Sequence, residues 1–293
     1  MDRETSVNLL EAIKKSIELA KERYDIDVIA VVTDNSRNMT SMGDLLPPNV
    51  LFTTCHSHTG NLLAKDLISL KKFQMIMTKV MTVQKKFKNP GLEARLLASG
   101  GKKPVLYSVI RFASTRNAIK SFIENLQFMK QIAANEDLTE GGPHSKNPDA
   151  AVVTLLFNQS FTDSAKCLLD ILNPIAGLIN KCQKSDTSLA DAVEKWLDLI
   201  RDAQSDELKT FIKSRCEKSN VFNKIAMTAN HFHPEYRGKK LNERQLNDVQ
   251  DFIFESVQVD GLESHRLFSS DEGVFGSLKN KKIISPKTFW YYA

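Results

Sequence analysis

A chain of 293 residues, 42% hydrophobic and 26% charged, has the size and balance of one large globular domain or two modest ones, which excludes wholesale disorder, a collagen or a coiled-coil rod. The apolar runs at 28–32 and 152–157 fall far short of the roughly 18 residues that a membrane span needs. The first ten residues have no apolar signal core, so the expected location is nuclear or cytoplasmic, with no secretion and no membrane partner. Forty Lys and Arg against 35 Asp and Glu give a net charge of +5, too small an excess to name a polyanionic partner. Cys55, Cys167, Cys182 and Cys216 show no CxxC pairing and read as reduced thiols rather than a disulfide framework.

In chain order, the spacing of Val7, Leu10, Ile13, Ile17 and Ala20 predicts an amphipathic helix over 6–23. The uninterrupted run Val28, Ile29, Ala30, Val31, Val32 predicts a strand buried on both faces, as in parallel α/β sheets. A shorter strand over 50–53 follows Pro47 and Pro48, and from Thr59 a long helical pattern runs through Leu63, Leu67, Leu70, Phe73, Met77 and Met81. The stretch 91–103, with Gly100, Gly101 and Pro104, reads as a basic loop and a domain boundary.

Beyond it the periodicity is helical. Ser114 or Thr115 is placed to cap a helix carrying Ile119, Phe122, Leu126 and Met129. Residues 136–148 read as a surface loop. Further helices are expected over 162–181, bent or interrupted before Pro174, over 188–201, and over 206–214. A last helix, opened by the pair Asn242 and Gln245, carries Leu246, Val249, Phe252, Ile253 and Val257. The expected fold class is therefore α/β in front (1–103) and all-α behind (104–293), predominantly helical overall.

Among chemistry-bearing residues, Asp34 follows the first strand directly, where ligands of open α/β sheets gather, and a carboxylate there can hold a hard cation such as Mg2+. The other reading is that Asp34, Asn35 and Ser36 cap the next helical turn. Cys55, His56 and His58 cluster after the second strand. A structural zinc would need two more ligands, with His231 and His233 the remote candidates, and packing at a strand-to-helix junction is the simpler reading. Arg111, Phe112, Ser114 and Arg116 put two guanidiniums and an aromatic ahead of a helix, a set suited to phosphate contact and base stacking, against a core Phe112 and surface ion pairs. The aromatic run 289–292 reads as a core piece or half of an interface.

Together and in order, these segments resemble the catalytic region of the hAT superfamily of DNA transposases. The strand ending in Asp34 and Asn35, followed by Asn38 and Met39, looks like the family's aspartate-asparagine element. Cys55, His58, Asn61 and Leu62 resemble its cysteine-histidine-asparagine-leucine motif, and Arg111, Phe112 and Ser114 stand where it carries arginine-tryptophan-x-serine. Asn173 with Pro174, the 192–196 segment and the 229–236 segment keep the family's order, so the resemblance covers nearly the whole chain. It implies an RNase H-like fold interrupted by an all-helical insertion, with three acids holding two divalent ions, Mg2+ or Mn2+. Asp34 matches the second acid. The first is expected N-terminal to this chain and the third just after residue 293. One acid cannot assemble a two-metal site, so catalysis is expected to be lost, no cofactor is expected, and the metals would enter only with retained activity. The expected function is that of a transposase-derived, catalytically inactive protein with residual DNA binding through Arg111, Phe112, Ser114 and Arg116. The alternatives are a protein-interaction or helical scaffold module that meets a protein partner or itself, and part of an active cut-and-paste transposase.

Overall fold

The computed structural model describes residues 5–107, 112–134, 148–256, 259–280 and 289–290. The expected loop over 136–148 lies, apart from Pro148, outside the described residues, as do Val257, Tyr291, Tyr292, Arg111 and the side chain of Phe112. The described chain is predominantly helical, with a single sheet of two short strands. It divides into two compact units, Met1–Thr59 with Leu178–Ala293, and Gly60–Gly177. The boundary expected near residue 103 falls inside the second of these.

In the first unit, α1 (Ser6–Tyr24) starts at an N-cap, Thr5, whose hydroxyl accepts from the Asn8 amide. It ends at Asp25 in the left-handed conformation, φ 50°. None of its residues is buried. Strands β1 (Ala30–Thr33) and β2 (Leu51–Thr54) pair in parallel, with Ala30 opposite Leu51 and Thr33 opposite Thr54. Between them lies α2 (Arg37–Gly43), which packs on β2. A Cβ at Gly43 would stand 2.6 Å from the Phe52 ring, so only glycine lets the end of α2 approach that strand so closely. The parallel pairing follows the expectation, but the burial does not. Ile29 is 68% and Val32 58% exposed, because β1 has β2 alone as a strand neighbour among the described residues.

The helical pattern that begins at Thr59 is two helices, α3 (His56–Ser69) and α4 (Lys71–Phe87), separated by Leu70 with an extended backbone, ψ 131°. The next stretch, expected as a loop, carries α5 (Pro90–Ala98): Asn89 caps it by accepting from the Gly91 amide, and Pro90 occupies the first turn, where its missing N–H costs nothing. Helix α6 (Phe112–Ala134) already includes Ser114 and Thr115 in its first turn, so neither is its cap. After it come α7 (Ala150–Phe157) and α8 (Gln159–Cys182), the latter running through Pro174 without interruption. The core of the 60–177 unit gathers Val80, Phe87, Leu92, Phe122, Met129 and Leu156, all fully buried. Gln84 is buried among them and donates to the Ala118 carbonyl at 2.9 Å, so its polarity fixes the pairing of α4 with α6.

The remaining helices belong to the first unit: α9 (Leu189–Arg201), α10 (Asp206–Lys218), α11 (Lys224–His231), α12 (Glu243–Ser256), α13 (Val259–Ser270) and α14 (Gly273–Asn280). The expected cap of α12 is present in reciprocal form, with the Gln245 amide donating to Asn242 Oδ1 and the Asn242 amide to Gln245 Oε1. Val193, Met227, Leu241, Val249 and Ile253 form one apolar cluster. Phe268, Phe275, Leu278 and Phe289 form a second. Phe289 is therefore a core residue, while its neighbour Trp290 remains 42% exposed.

Candidate functional site

Parallel pairing brings the carboxyl ends of β1 and β2 side by side, and with them the two segments that the sequence singled out. The Cys55 amide donates to the Thr33 carbonyl at 2.6 Å and extends the ladder one step past the strands. Thr59, fully buried in the first turn of α3, donates its hydroxyl to the Cys55 carbonyl and accepts from the Asn35 side-chain amide at 3.1 Å. Asn35 thus ties the turn after β1 to the helix after β2, which gives the asparagine of the aspartate-asparagine pair a positioning role.

Asp34 is exposed at the end of β1. Its Oδ1 accepts from the Ser36 amide at 2.9 Å, while Ser36, the N-cap of α2, makes no side-chain cap bond of its own. The Ser36 amide and then its hydroxyl hold the Asp34 carboxyl below its ordinary range, with a smaller contribution from the charge of His58. The geometry therefore carries the turn-capping reading directly. No group of three or more His, Cys, Asp or Glu side chains able to hold a metal ion occurs among the described residues. Asp34 alone, with one oxygen already engaged, does not fit a two-metal centre, and no chemical step follows from it.

The zinc reading fails on the same ground. His231 Nε2 instead faces His265 Nε2 at 3.1 Å, and His233 Nδ1 accepts from the Glu235 and Tyr236 amides. Within the cluster after β2, Cys55 and His58 are half-buried, whereas His56 is buried with neither ring nitrogen partnered. Burial pushes His56 down to about 4, so its imidazole is neutral at physiological pH. Cys182 stands close enough to Cys55 for charge on one to be felt at the other, and burial, then Cys55 and Asp191, push its thiol up to about 11. All four cysteines are free thiols. Asn61 lies half-buried in α3.

Two of the later segments also meet. Asn230 of α11 donates to the Ala190 carbonyl and to Glu194 Oε2, both in α9. Glu194 is buried and takes a second partner, Lys240, at 2.6 Å. Burial works against the charge of Lys240, and its hydrogen bonds to Asp198 and Glu194 outweigh that and raise it. The Tyr236 hydroxyl donates to Asp191 Oδ1 at 2.6 Å, and the His233 ring stacks on Tyr236 at 3.9 Å. The 192–196 and 229–236 segments thus meet through Glu194 and Asn230, and with Ala190, Asp191 and Lys240 they form a polar clamp between α9 and the turn after α11. Its charges are mutually satisfied, which suits positioning rather than catalysis.

In the 60–177 unit, Arg116 Nε donates to Asn173 Oδ1 at 2.9 Å and so joins the start of α6 to the middle of α8. Ser114 is half-buried in the same first turn. A feature that the chain-wide charge conceals lies nearby. Residues 60–177 hold sixteen Lys and Arg against nine Asp and Glu, whereas the rest of the chain has 24 against 26. Over 71–103 the ratio is nine to one. Helix α4 buries Phe73, Met77, Val80, Val83 and Phe87; the opposite face presents Lys71 and Lys85 to solvent, and Lys72 lies exposed on its flank with Nζ 5.2 Å from the centre of the Phe73 ring. A regional charge count is the signal that finds this face.

No protein-family model matches the chain, and a search of curated proteins finds no match. No described helix is long and apolar enough to cross a membrane.

Proposed function

We propose that this chain is a hAT transposase-derived DNA-binding protein without catalytic competence. The observation that carries the reading is the segregation of charge: the 60–177 unit has a net +7 and the rest of the chain −2, from the residue counts above. Neutralising phosphates requires a local excess of Lys and Arg on an accessible face, and α4 supplies one with an apolar stripe holding it rigidly. Two further features support the family reading. A parallel strand pair ends in the Asp34–Asn35 turn beside the Cys55–His58 cluster, as in a fragment of an RNase H-like sheet. A contiguous helical unit also stands between two stretches of the other unit, the chain order of an insertion. The proposed loss of catalysis is supported by there being no group of three or more His, Cys, Asp or Glu able to hold a metal ion among the described residues.

Fluorescence anisotropy on duplex and hairpin DNA across a salt series tests the reading, with the full chain and the triple variant Lys71→Glu, Lys72→Glu, Lys85→Glu. Binding that weakens with salt and is weakened in the triple variant supports it. Absence of binding at low salt refutes the DNA role, and binding indifferent to the three substitutions refutes the placing of the contact on α4. Mg2+-dependent cleavage abolished by Asp34→Ala would refute the loss of catalysis.

A further inference from the structure

The two edges of the β1–β2 sheet differ. On the β2 side, Thr54 Oγ1 donates to the Ser219 carbonyl at 2.8 Å, Asn223 donates to Thr53 Oγ1 at 2.8 Å, and α11 packs on the strand. On the β1 side no strand follows among the described residues. The Ile29 carbonyl accepts from the Leu51 amide and the Thr33 carbonyl from the Cys55 amide. The alternation of a parallel ladder therefore turns the N–H and C=O groups of Ala30 and Val32 toward the open edge. Ile29 and Val32, three apart and so on opposite faces, are 68% and 58% exposed. Of the fifteen large apolar side chains exposed in the described structure, seven (Val7, Leu19, Tyr24, Ile26, Ile29, Val32 and Leu45) lie in the first 45 residues. An edge with unpaired backbone groups and apolar residues on both faces is a template for strand addition.

Charge selects the occupant. The strand is bracketed by acids, Asp25 and Asp27 before it and Asp34 after it, and among the described residues Lys21 is the one cation in an ion pair with the first two. A second copy pairing antiparallel about Val31 would bring Asp27 of each copy next to Asp34 of the other at both ends, a like-charge arrangement that opposes self-pairing. We infer that the open edge of β1 binds an extended segment of another protein, one with alternating apolar residues and Lys or Arg at its ends. This edge site is independent of the DNA reading, which concerns residues 60–177.

The test uses the full chain and a fluorescein-labelled heptapeptide, Lys-Val-Thr-Val-Thr-Val-Lys, read by anisotropy. The same peptide with Glu at both ends is the comparison. The basic-ended peptide should saturate, and the acidic-ended one should bind at least about ten-fold more weakly. Val32→Pro removes an outward N–H that takes no part in the β1–β2 ladder, a substitution that an edge strand accommodates, and should abolish binding. Val32→Lys, at a position already exposed, should weaken it and serves where circular dichroism shows the proline variant to be misfolded. Failure of the basic-ended peptide to bind, equal binding of the two peptides, or undiminished binding by a folded Val32 variant would overturn the proposal. A dimer in sedimentation that Val32→Lys dissociates would overturn it too, since the occupant would then be a second copy.

Discussion

The Tyr236 hydroxyl donates to Asp191 Oδ1 at 2.6 Å across 45 residues of sequence. Asp191 is already committed on its other oxygen, since Oδ2 accepts from both the amide and the hydroxyl of Ser188 in the capping box of α9. Lys181 lies 3.7 Å from Oδ1. Burial works against the ionised Asp191, and the Tyr236 and Ser188 donors outweigh it and keep the carboxyl below its ordinary range. One carboxylate therefore starts a helix and fastens the turn that follows α11. Tyr236→Phe removes one donor to a charged acceptor and should cost about 1.5–3 kcal/mol in urea unfolding. Asp191→Ala loses the capping box as well and should cost more. A double-mutant cycle in which the two losses simply add would show that the bond contributes no coupling.

Asn223 does two things with one side chain. Its Oδ1 accepts from the Ala226 amide to cap α11, and its Nδ2 donates to Thr53 Oγ1 of β2. Asn223→Asp keeps the acceptor and loses the donor, so it separates the two roles. The aspartate variant should lose about 1 kcal/mol and the alanine variant about 2 kcal/mol, because alanine gives up the cap too. Equal losses in chemical denaturation would mean that the cap adds nothing, and an aspartate variant as stable as the parent would mean that the bond to β2 adds nothing.

The elements most legible in sequence were those whose local signals agree. The β-branched run placed β1 to within two residues, and the Asn242–Gln245 pair marked the start of α12. The break between α3 and α4 was hidden because Leu67, Leu70 and Phe73 keep helical spacing straight through a residue whose backbone is extended. Helix α5 falls in a stretch that reads as a loop because Gly100, Gly101 and Pro104 suggest punctuation, although Pro90, in the first turn, is a helix start signal. Adjacency on the chain showed that Cys55, His56 and His58 cluster, but not that His56 is the buried one. That depends on how α3 leaves the strand. The basic face of α4 was averaged away when charge was summed over 293 residues.

Two neutral imidazoles make the fold sensitive to acid. Burial holds His56 at about 4, and burial, then the charges of His265 and Arg237, hold His231 at about 4, against an ordinary 6.5. The unfolded chain binds these protons first, so stability rises with pH across this window. It is fully present above about pH 6.5, falls as the pH drops toward 4, and levels off below that. For each group the fall from 6.5 to about 4 is worth at most about 3–4 kcal/mol. Urea midpoints measured from pH 7.5 to 4 should therefore decline mainly below 6.5. In His56→Phe, which replaces two unpartnered buried nitrogens with carbon, stability at pH 7 should be retained or increased and the share of the acid loss due to His56 should vanish. An unchanged acid profile in that variant would place the sensitivity elsewhere.

Arg116 and the lysines of α4 should separate cleanly in experiment, although all are cationic and lie in the same unit. Arg116 Nε is spent on Asn173 Oδ1, a bond that joins α6 to α8, so Arg116→Ala should lower stability by about 1–2 kcal/mol. It should leave the dependence of DNA affinity on salt concentration unaltered. Lys71 and Lys85 are exposed on the outer face of α4 and Lys72 on its flank over the Phe73 ring, and their replacement by glutamate should leave unfolding within about 1 kcal/mol of the parent, mostly from the lost contact of Lys72 with Phe73. If each meets one phosphate, the slope of log affinity against log salt should fall in magnitude by about 0.9 per lysine. The opposite pattern, with the slope set by Arg116 and stability by the lysines, would move the DNA contact from the face of α4 to the start of α6.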